Sequence, residues 1–209
     1  MSYSDFKTLD KAINDLNLTL QESHNLFAQV PPVQPSQRLK EALEETLELA
    51  TNISTEKARS ELIITPILLE VRRIFQGKIG YFSGTSFNID ESRGLNGVCD
   101  FILSASENQL LITAPVITVV EAKDNDIKLG LGQCVAEMVA AQVFNDRKGQ
   151  SQTIYGVVST GTLWKFLTLE AQTLKIDRTE YFIAQLEEIL GILVEPFRKL
   201  SKFSSGAMR

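Results

Sequence analysis

Apolar residues recur along this chain in two rhythms, and the switch between them divides it. Phe6, Leu9, Ile13, Leu16 and Leu20 fall at alternating three- and four-residue steps. That spacing predicts a first helix, with Ser4 or Asp5 able to cap its start. The stretch Val30–Ser36, VPPVQPS, follows. Its prolines lack N–H donors and forbid a helix, so it reads as a semi-rigid connector. Ser36 restarts a helix with Leu39, Leu43 and Leu47 on one side and Glu41, Glu44, Glu45 and Glu48 as a solvated face. Ser54-Thr55-Glu56-Lys57 opens another, whose apolar face is Leu62, Ile63, Ile67, Leu68, Val71 and Ile74. Pro66 should kink or break it, and Gly77 should end it.

From Ile79 the period falls to two. Ile79 to Ile89 reads as a strand with an irregularity at Gly84. Val98 to Ser104 reads as a second, after the turn-like Arg93-Gly94-Leu95-Asn96-Gly97. Val116 to Lys123 is a third, nearly all apolar and β-branched, as a central buried strand should be. Lys128 to Phe144 predicts a helix whose small Ala136, Ala140 and Ala141 permit close packing on a sheet. Ile154–Ser159 and Leu163–Leu169 are two further strands, joined by a Ser159-Thr160-Gly161-Thr162 turn that suits a hairpin. A last helix runs from about Glu180 to Lys199, and residues 201–209 read as a flexible tail. The order predicts an α/β domain with a mixed central sheet over residues 36–200, preceded by an N-terminal helical arm and connector over residues 1–35. The arm either packs on the domain or forms a short coiled coil that joins two copies into a homodimer.

Composition narrows the functions. The 209 residues are 44% hydrophobic and 22% charged, enough to bury a sizeable core. A net charge of −5 excludes a histone-like wrapper and a polybasic membrane-surface protein. It leaves open nucleic acid met at one local basic groove. Lys57, Arg59, Arg72, Arg73, Lys78, Lys128 and Lys165 either line such a groove or are scattered solubilising charge. The single histidine, His24, excludes sites that need two imidazoles, and its place on the arm argues against a Ser-His-Asp triad. The two cysteines, Cys99 and Cys134, make neither a disulfide framework nor a four-thiolate zinc site, and both are expected to pack internally. Trp164 and Phe166 are expected in the core. No apolar stretch is long enough to span a bilayer, and the polar N-terminus lacks a signal segment, so a cytoplasmic protein with reduced thiols is expected.

One place carries chemistry. The apolar strand Val116–Val120 ends in Glu121-Ala122-Lys123. Strand side chains alternate, so Glu121 and Lys123 share a face. A buried charge there is costly, so the two must pair, reach solvent or bind something. Asp100 is a lone acid within Val98–Ser104. If the two strands are neighbours, Asp100 and Glu121 converge, and two close carboxylates repel unless a cation lies between them. Asp100, Glu121 and the carbonyl of Ala122 form a hard-oxygen set of the kind Mg²⁺ or Mn²⁺ prefers. Gly130 and Gly132 lack the remaining spacing of a dinucleotide loop.

Asp100 followed 21 residues later by Glu121-Ala122-Lys123 at a strand end resembles the signature of the PD-(D/E)XK nuclease superfamily. The element order from about Thr55 to Ser159 is similar to that family's core. Glu61 matches a glutamate often found on its first core helix, and Gln133 a glutamine of some branches. Cys99 stands where the motif proline would precede the aspartate, a departure common across the superfamily. The resemblance implies a restriction-endonuclease-like three-layer fold and an Mg²⁺- or Mn²⁺-dependent hydrolase of nucleic-acid phosphodiesters, with DNA ahead of RNA as partner. It implies that Asp100, Glu121, the Ala122 carbonyl and Glu61 serve the metal, with Glu61 binding a second ion or a metal-bound water. Lys123 would orient the attacking water or stabilise transition-state charge, and Gln133 would fix the substrate phosphate or Lys123. The alternative is an inactive member of the same fold that binds or scaffolds through its arm.

Overall fold

A computed structural model describes residues 1–200. Eight strands form one mixed sheet, and helices cover both of its faces. In chain order the elements are α1 (Leu9–Asp15), β1 (Thr19–Ser23), α2 (Gln37–Ile53), α3 (Glu56–Arg59), a π-helical turn (Ser60–Ile64), α4 (Thr65–Ile74), β2 (Gly80–Ser86), β3 (Val98–Ser104) and β4 (Val116–Ala122). Then come α5 (Lys128–Arg147), β5 (Ile154–Ser159), β6 (Leu163–Glu170), β7 (Thr173–Asp177), β8 (Tyr181–Phe182) and α6 (Leu186–Arg198). The sheet order is β1-β7-β6-β5-β4-β3-β2, with β8 also paired to β6. β4 and β5 are parallel. Their connection therefore has to cross the sheet, and α5 is the crossover. β1 and β7 are the other parallel pair.

The period-two pattern sends alternate residues into two helical layers. Val119, Ile102, Val158 and Leu167 pack under α5, beside Cys134, Met138 and the arm residues Tyr3, Phe6, Ala12 and Leu16. Phe101, Leu103, Val120, Val157 and Phe166 pack under α2, α4 and α6. All seven residues of β4 are buried. The expected mixed α/β architecture is thus observed. Both cysteines, Trp164 and Phe166 are internal, as expected.

Several local outcomes refine the sequence reading. Ser36 caps α2 by accepting from the Leu39 N–H, and Thr55 caps α3 by accepting from the Ala58 N–H. Next to Pro66 the helical run changes character: it widens into one π-helical turn, Ser60–Ile64, just before it, and Pro66 is the second residue of α4. Leu20 does not extend the first helix. That helix stops at Asp15, Asn17 turns with a positive φ, and Leu20 belongs to β1. β7 and β8 lie where the sequence reading placed no strand, and α6 begins at Leu186 rather than near Glu180. The predicted tail, residues 201–209, lies outside the described residues. Among those described, no helix is long and apolar enough to cross a membrane.

The arm is seated on its own domain. Tyr3 donates its backbone N–H to Asn96 O at 2.9 Å and its hydroxyl to Phe87 O. The apolar stripe that could have joined two copies is instead buried against α5: Phe6, Ala12 and Leu16 have almost no exposed surface. Gly132 makes this seat possible, because a Cβ there would lie 2.2 Å from Phe6 O and 2.5 Å from Thr8 O. Both obstacles are backbone atoms, so no rotamer change relieves the clash. Gly132→Ala is therefore expected to destabilise the fold by about 1–3 kcal/mol, despite the roughly 1 kcal/mol by which alanine outranks glycine in a helix. Urea unfolding checks this; an unchanged midpoint would place the arm elsewhere in solution.

Candidate active site

The site forms where β3 and β4 part. Phe101 pairs with Val120, and continuing that register sets Asp100 opposite Glu121. Asp100 stands at an interruption of the strand. Cys99 and Ile102, three residues apart, both pack in the α5 layer, so the alternation fails between them. On the other flank, Gly84 of β2 lies level with Asp100 and has a φ of +59°, a conformation that favours glycine. No heavy atom lies within 4 Å of where its Cβ would be. The result is an open pocket of about 180 Å³ lined by Glu56, Lys57, Ser60, Ser83, Gly84, Asp100 and Ala122.

Side chains take over where the ladder stops. Asp100 Oδ2 accepts the Ala122 N–H at 2.8 Å. Glu121 is 1% exposed and both of its oxygens are engaged. Oε1 accepts from the Lys123 ammonium, and Oε2 accepts from Gln133 Nε2 at 2.9 Å. The structure thus brings Asp100, Glu121, Lys123, the Ala122 backbone and Gln133 together. Gln133 reaches the site from the second turn of α5, because Gly130 lets that helix close on the strand end. A Cβ at Gly130 would meet Val158 Cγ1 at 2.6 Å, Lys123 Cγ at 3.1 Å and Glu121 Cγ at 3.2 Å.

Glu61 is not brought to this cluster. It pairs with Lys57 at 2.7 Å on an exposed helix face. The helix acid that faces the site is Glu56, whose Oε2 lies 3.8 Å from Lys123 Nζ. Helical geometry gives the reason: Glu56 and Ser60 are one turn apart and line the pocket together, while Glu61 is rotated about a further 100°. The sequence reading also passed over Glu137. It is fully buried one turn beyond Gln133, and its Oε1 accepts from Gln133 Nε2 at 3.2 Å. Its Oε2 has no hydrogen-bond partner. The available signal was an acid four residues from Gln133 within an otherwise small and apolar helical run.

Burial sets the electrostatics. Burial first and Asp100 second raise the Glu121 pKa, against the pull of Lys123, to about 8. Burial, then Glu121, holds the Glu137 carboxyl well above the ordinary range. Asp100 is raised by burial, against the pull of the Ala122 N–H and Lys123. Glu56 is raised by burial, with Lys123 pulling it down. Burial also works against the Lys123 ammonium, but Glu121, Glu56 and Asp100 together hold its pKa above the usual lysine value.

These donors suit a hard divalent cation. Two carboxylates and a backbone carbonyl are oxygen ligands, and positive charge between Asp100 and Glu121 would relieve the repulsion that adds to burial in raising the Glu121 pKa. Among the described residues, no three His, Cys, Asp or Glu side chains converge as a ready-made cation cage.

A native pKa above the ordinary value means that the folded protein holds the Glu121 proton more tightly than the unfolded chain does. Its contribution to stability is therefore full below about pH 4.5 and is lost as pH rises through about 8. Glu121→Gln is expected to flatten the decline in stability between those values. Urea midpoints at about pH 5, 7 and 9 check it, and an undiminished decline in the variant would assign the effect to another group. No protein-family model matches this chain, and no curated protein or solved structure does either.

Proposed function

We propose that this chain is an Mg²⁺- or Mn²⁺-dependent nuclease-like protein of restriction-endonuclease-like fold that hydrolyses phosphodiester bonds in nucleic acid, DNA ahead of RNA. The observation that carries the reading is the convergence of Asp100 with Glu121 and Lys123 at a strand end that opens into a pocket. An aspartate, a glutamate and a lysine in that order at adjoining strands are the arrangement the sequence resemblance implies.

Asp100, Glu121 and the Ala122 carbonyl would hold the cation. When bound there, it would supply a water of lowered pKa and charge compensation for the scissile phosphate. The chain's own groups then have separable roles. Asp100 is aimed by its bond to the Ala122 N–H, so its position follows the backbone of β4. Gln133 holds Glu121 Oε2 and fixes the plane of that carboxylate. Lys123 has Glu56 as a second carboxylate at 3.8 Å, so it can leave Glu121 for the pocket without becoming unpaired. There its ammonium would orient a water or stabilise developing negative charge on the phosphate. The pocket's exposed Lys57 adds a cation at the rim for an anionic substrate.

Metal-dependent cleavage of single-stranded, duplex and branched DNA and of RNA tests the reading. Lys123→Ala is expected to lower cleavage by about 10²–10³-fold, the scale of losing one transition-state donor, with the fold retained. Asp100→Ala should abolish it. Glu56→Gln should impair it, whereas Glu61→Gln should leave it near wild type. An active Lys123→Ala protein would overturn the assigned mechanism.

A further inference from the structure

The outer helical layer carries a second feature that the acid cluster does not use. A cleft of about 610 Å³ opens between the first turns of α2 and the length of α4 from Pro66 to the turn at Gly77. Its basic groups are Arg38, Arg72 and Arg73, over an apolar floor of Leu39, Pro66 and Leu69, and no carboxylate lines it. Arg72 lies roughly 24 Å along the helical run from Glu56, so the cleft is separate from the candidate active site.

The three guanidinium groups are not equivalent. Arg73 is committed within the protein: it pairs with Glu70 Oε2 at 2.6 Å and donates to Ser36 Oγ at 2.8 Å. Glu70 is buried and accepts the Ser36 N–H at 2.9 Å, so that pair belongs to the start of α2. Glu41, the nearest acid on α2, accepts from the Gln37 amide at 3.0 Å. Among the described residues, neither Arg38 nor Arg72 has an ion-pair partner.

Helix electrostatics accounts for one of these two. Arg72 is in the last turn of α4, where a cation is favourable. Arg38 is the second residue of α2, where the backbone dipoles favour an anion and disfavour a cation. The carboxylate at that end, Glu70, is taken by Arg73 and Ser36, so the exposed Arg38 has no acid of its own. In a chain of net charge −5, two unpaired guanidinium groups beside a helix N-terminus concentrate positive potential against the overall sign.

We propose that this cleft binds a phosphate ester carried on an apolar or planar body, as in a nucleotide. Guanidinium forks match phosphate oxygens in pairs, and a planar ring can lie on the Leu39, Pro66 and Leu69 floor. The phosphate can belong to a free nucleotide or to the end of a nucleic-acid strand. The site does not depend on metal-dependent cleavage.

The test follows ¹H–¹⁵N spectra of the full chain, including the arginine Nε–Hε signals, with chelator present so that cleavage plays no part. The probes are 5′-AMP, adenosine, inorganic phosphate, and a trinucleotide with and without a 5′-phosphate. Saturable shifts of Arg38 and Arg72 with 5′-AMP, and none with adenosine, are expected. Arg38→Gln/Arg72→Gln should weaken binding by about tenfold or more, the loss of a charge-assisted pair, with the single Arg38→Gln variant as a second test if the double variant misfolds. Tighter binding of the 5′-phosphorylated trinucleotide than of 5′-AMP would support the site and make a strand end its source; equal binding would support it with a free nucleotide. The proposal is overturned if adenosine binds as well as 5′-AMP, if the variants bind like wild type, or if no phosphate probe gives a saturable response at these arginines.

Discussion

Burying the Glu121 carboxyl at the end of the central strand obliges everything around it. At 1% exposure it has no water to solvate a charge, so each oxygen must be met by protein or the group must keep its proton. Lys123 meets one oxygen and Gln133 the other, and Asp100 on the neighbouring strand still pushes the proton on. Gln133 is then fixed by two acceptors, Glu121 and Glu137, which use both of its amide protons. Burial first, and Glu121 second, hold the Glu137 carboxyl well above the ordinary range. One strand-end carboxyl thus sets the orientation of a helix side chain and adds to the burial that raises a second acid behind it.

That chain of consequences requires α5 to lie unusually close to the sheet, and two glycines permit it. Gly130 admits the first turn of the helix against Glu121, Lys123 and Val158. Gly132 lets the arm backbone lie on the helix's other side. Two glycines spaced by one residue could be mistaken for a phosphate-cradling loop. Here they are contact points, one facing the sheet and one facing the arm, and the residue between them, Leu131, is buried.

How much of this the sequence disclosed follows from what each signal measures. β3, β4, β5 and α5 were legible almost to the residue at their starts, because burial on both sides of a sheet or along a long helix writes itself as apolar runs. β1 and β7 were not. They pair with each other at the sheet margin, with sequences TLQES and TLKID, half polar and five residues long. Their strand character comes from tertiary pairing rather than from propensity. Asp100, Glu121 and Lys123 were legible because charged groups among apolar ones stand out, and Gln133 only through the family resemblance. The choice between Glu56 and Glu61 was not. Both sit on the same helical run within five residues, and only the rotation of that run, altered by the π-helical turn, decides which acid faces the strand end.

Glu56 and Lys123 also link the outer helical layer to the end of the central strand beside the pocket. Glu56 starts α3 in the outer helical layer, while Lys123 leaves β4 in the middle of the sheet and is tied by its N–H to Ser159 O of β5 at 2.8 Å. At 3.8 Å their contact is looser than the Lys123–Glu121 pair, and Glu56 is half-exposed. The ammonium occupies the inner position, on Glu121, with Glu56 as a looser outer partner. Water weakens the outer pair, and burial strengthens the inner one. Added positive charge near Glu121 would penalise the inner position, whereas added negative charge in the pocket would stabilise the ammonium as it moves outward. Under the proposed function, Lys123 would therefore respond in the same direction to a cation on the acids and to an anion in the pocket, the coupling that a site assembling both would need.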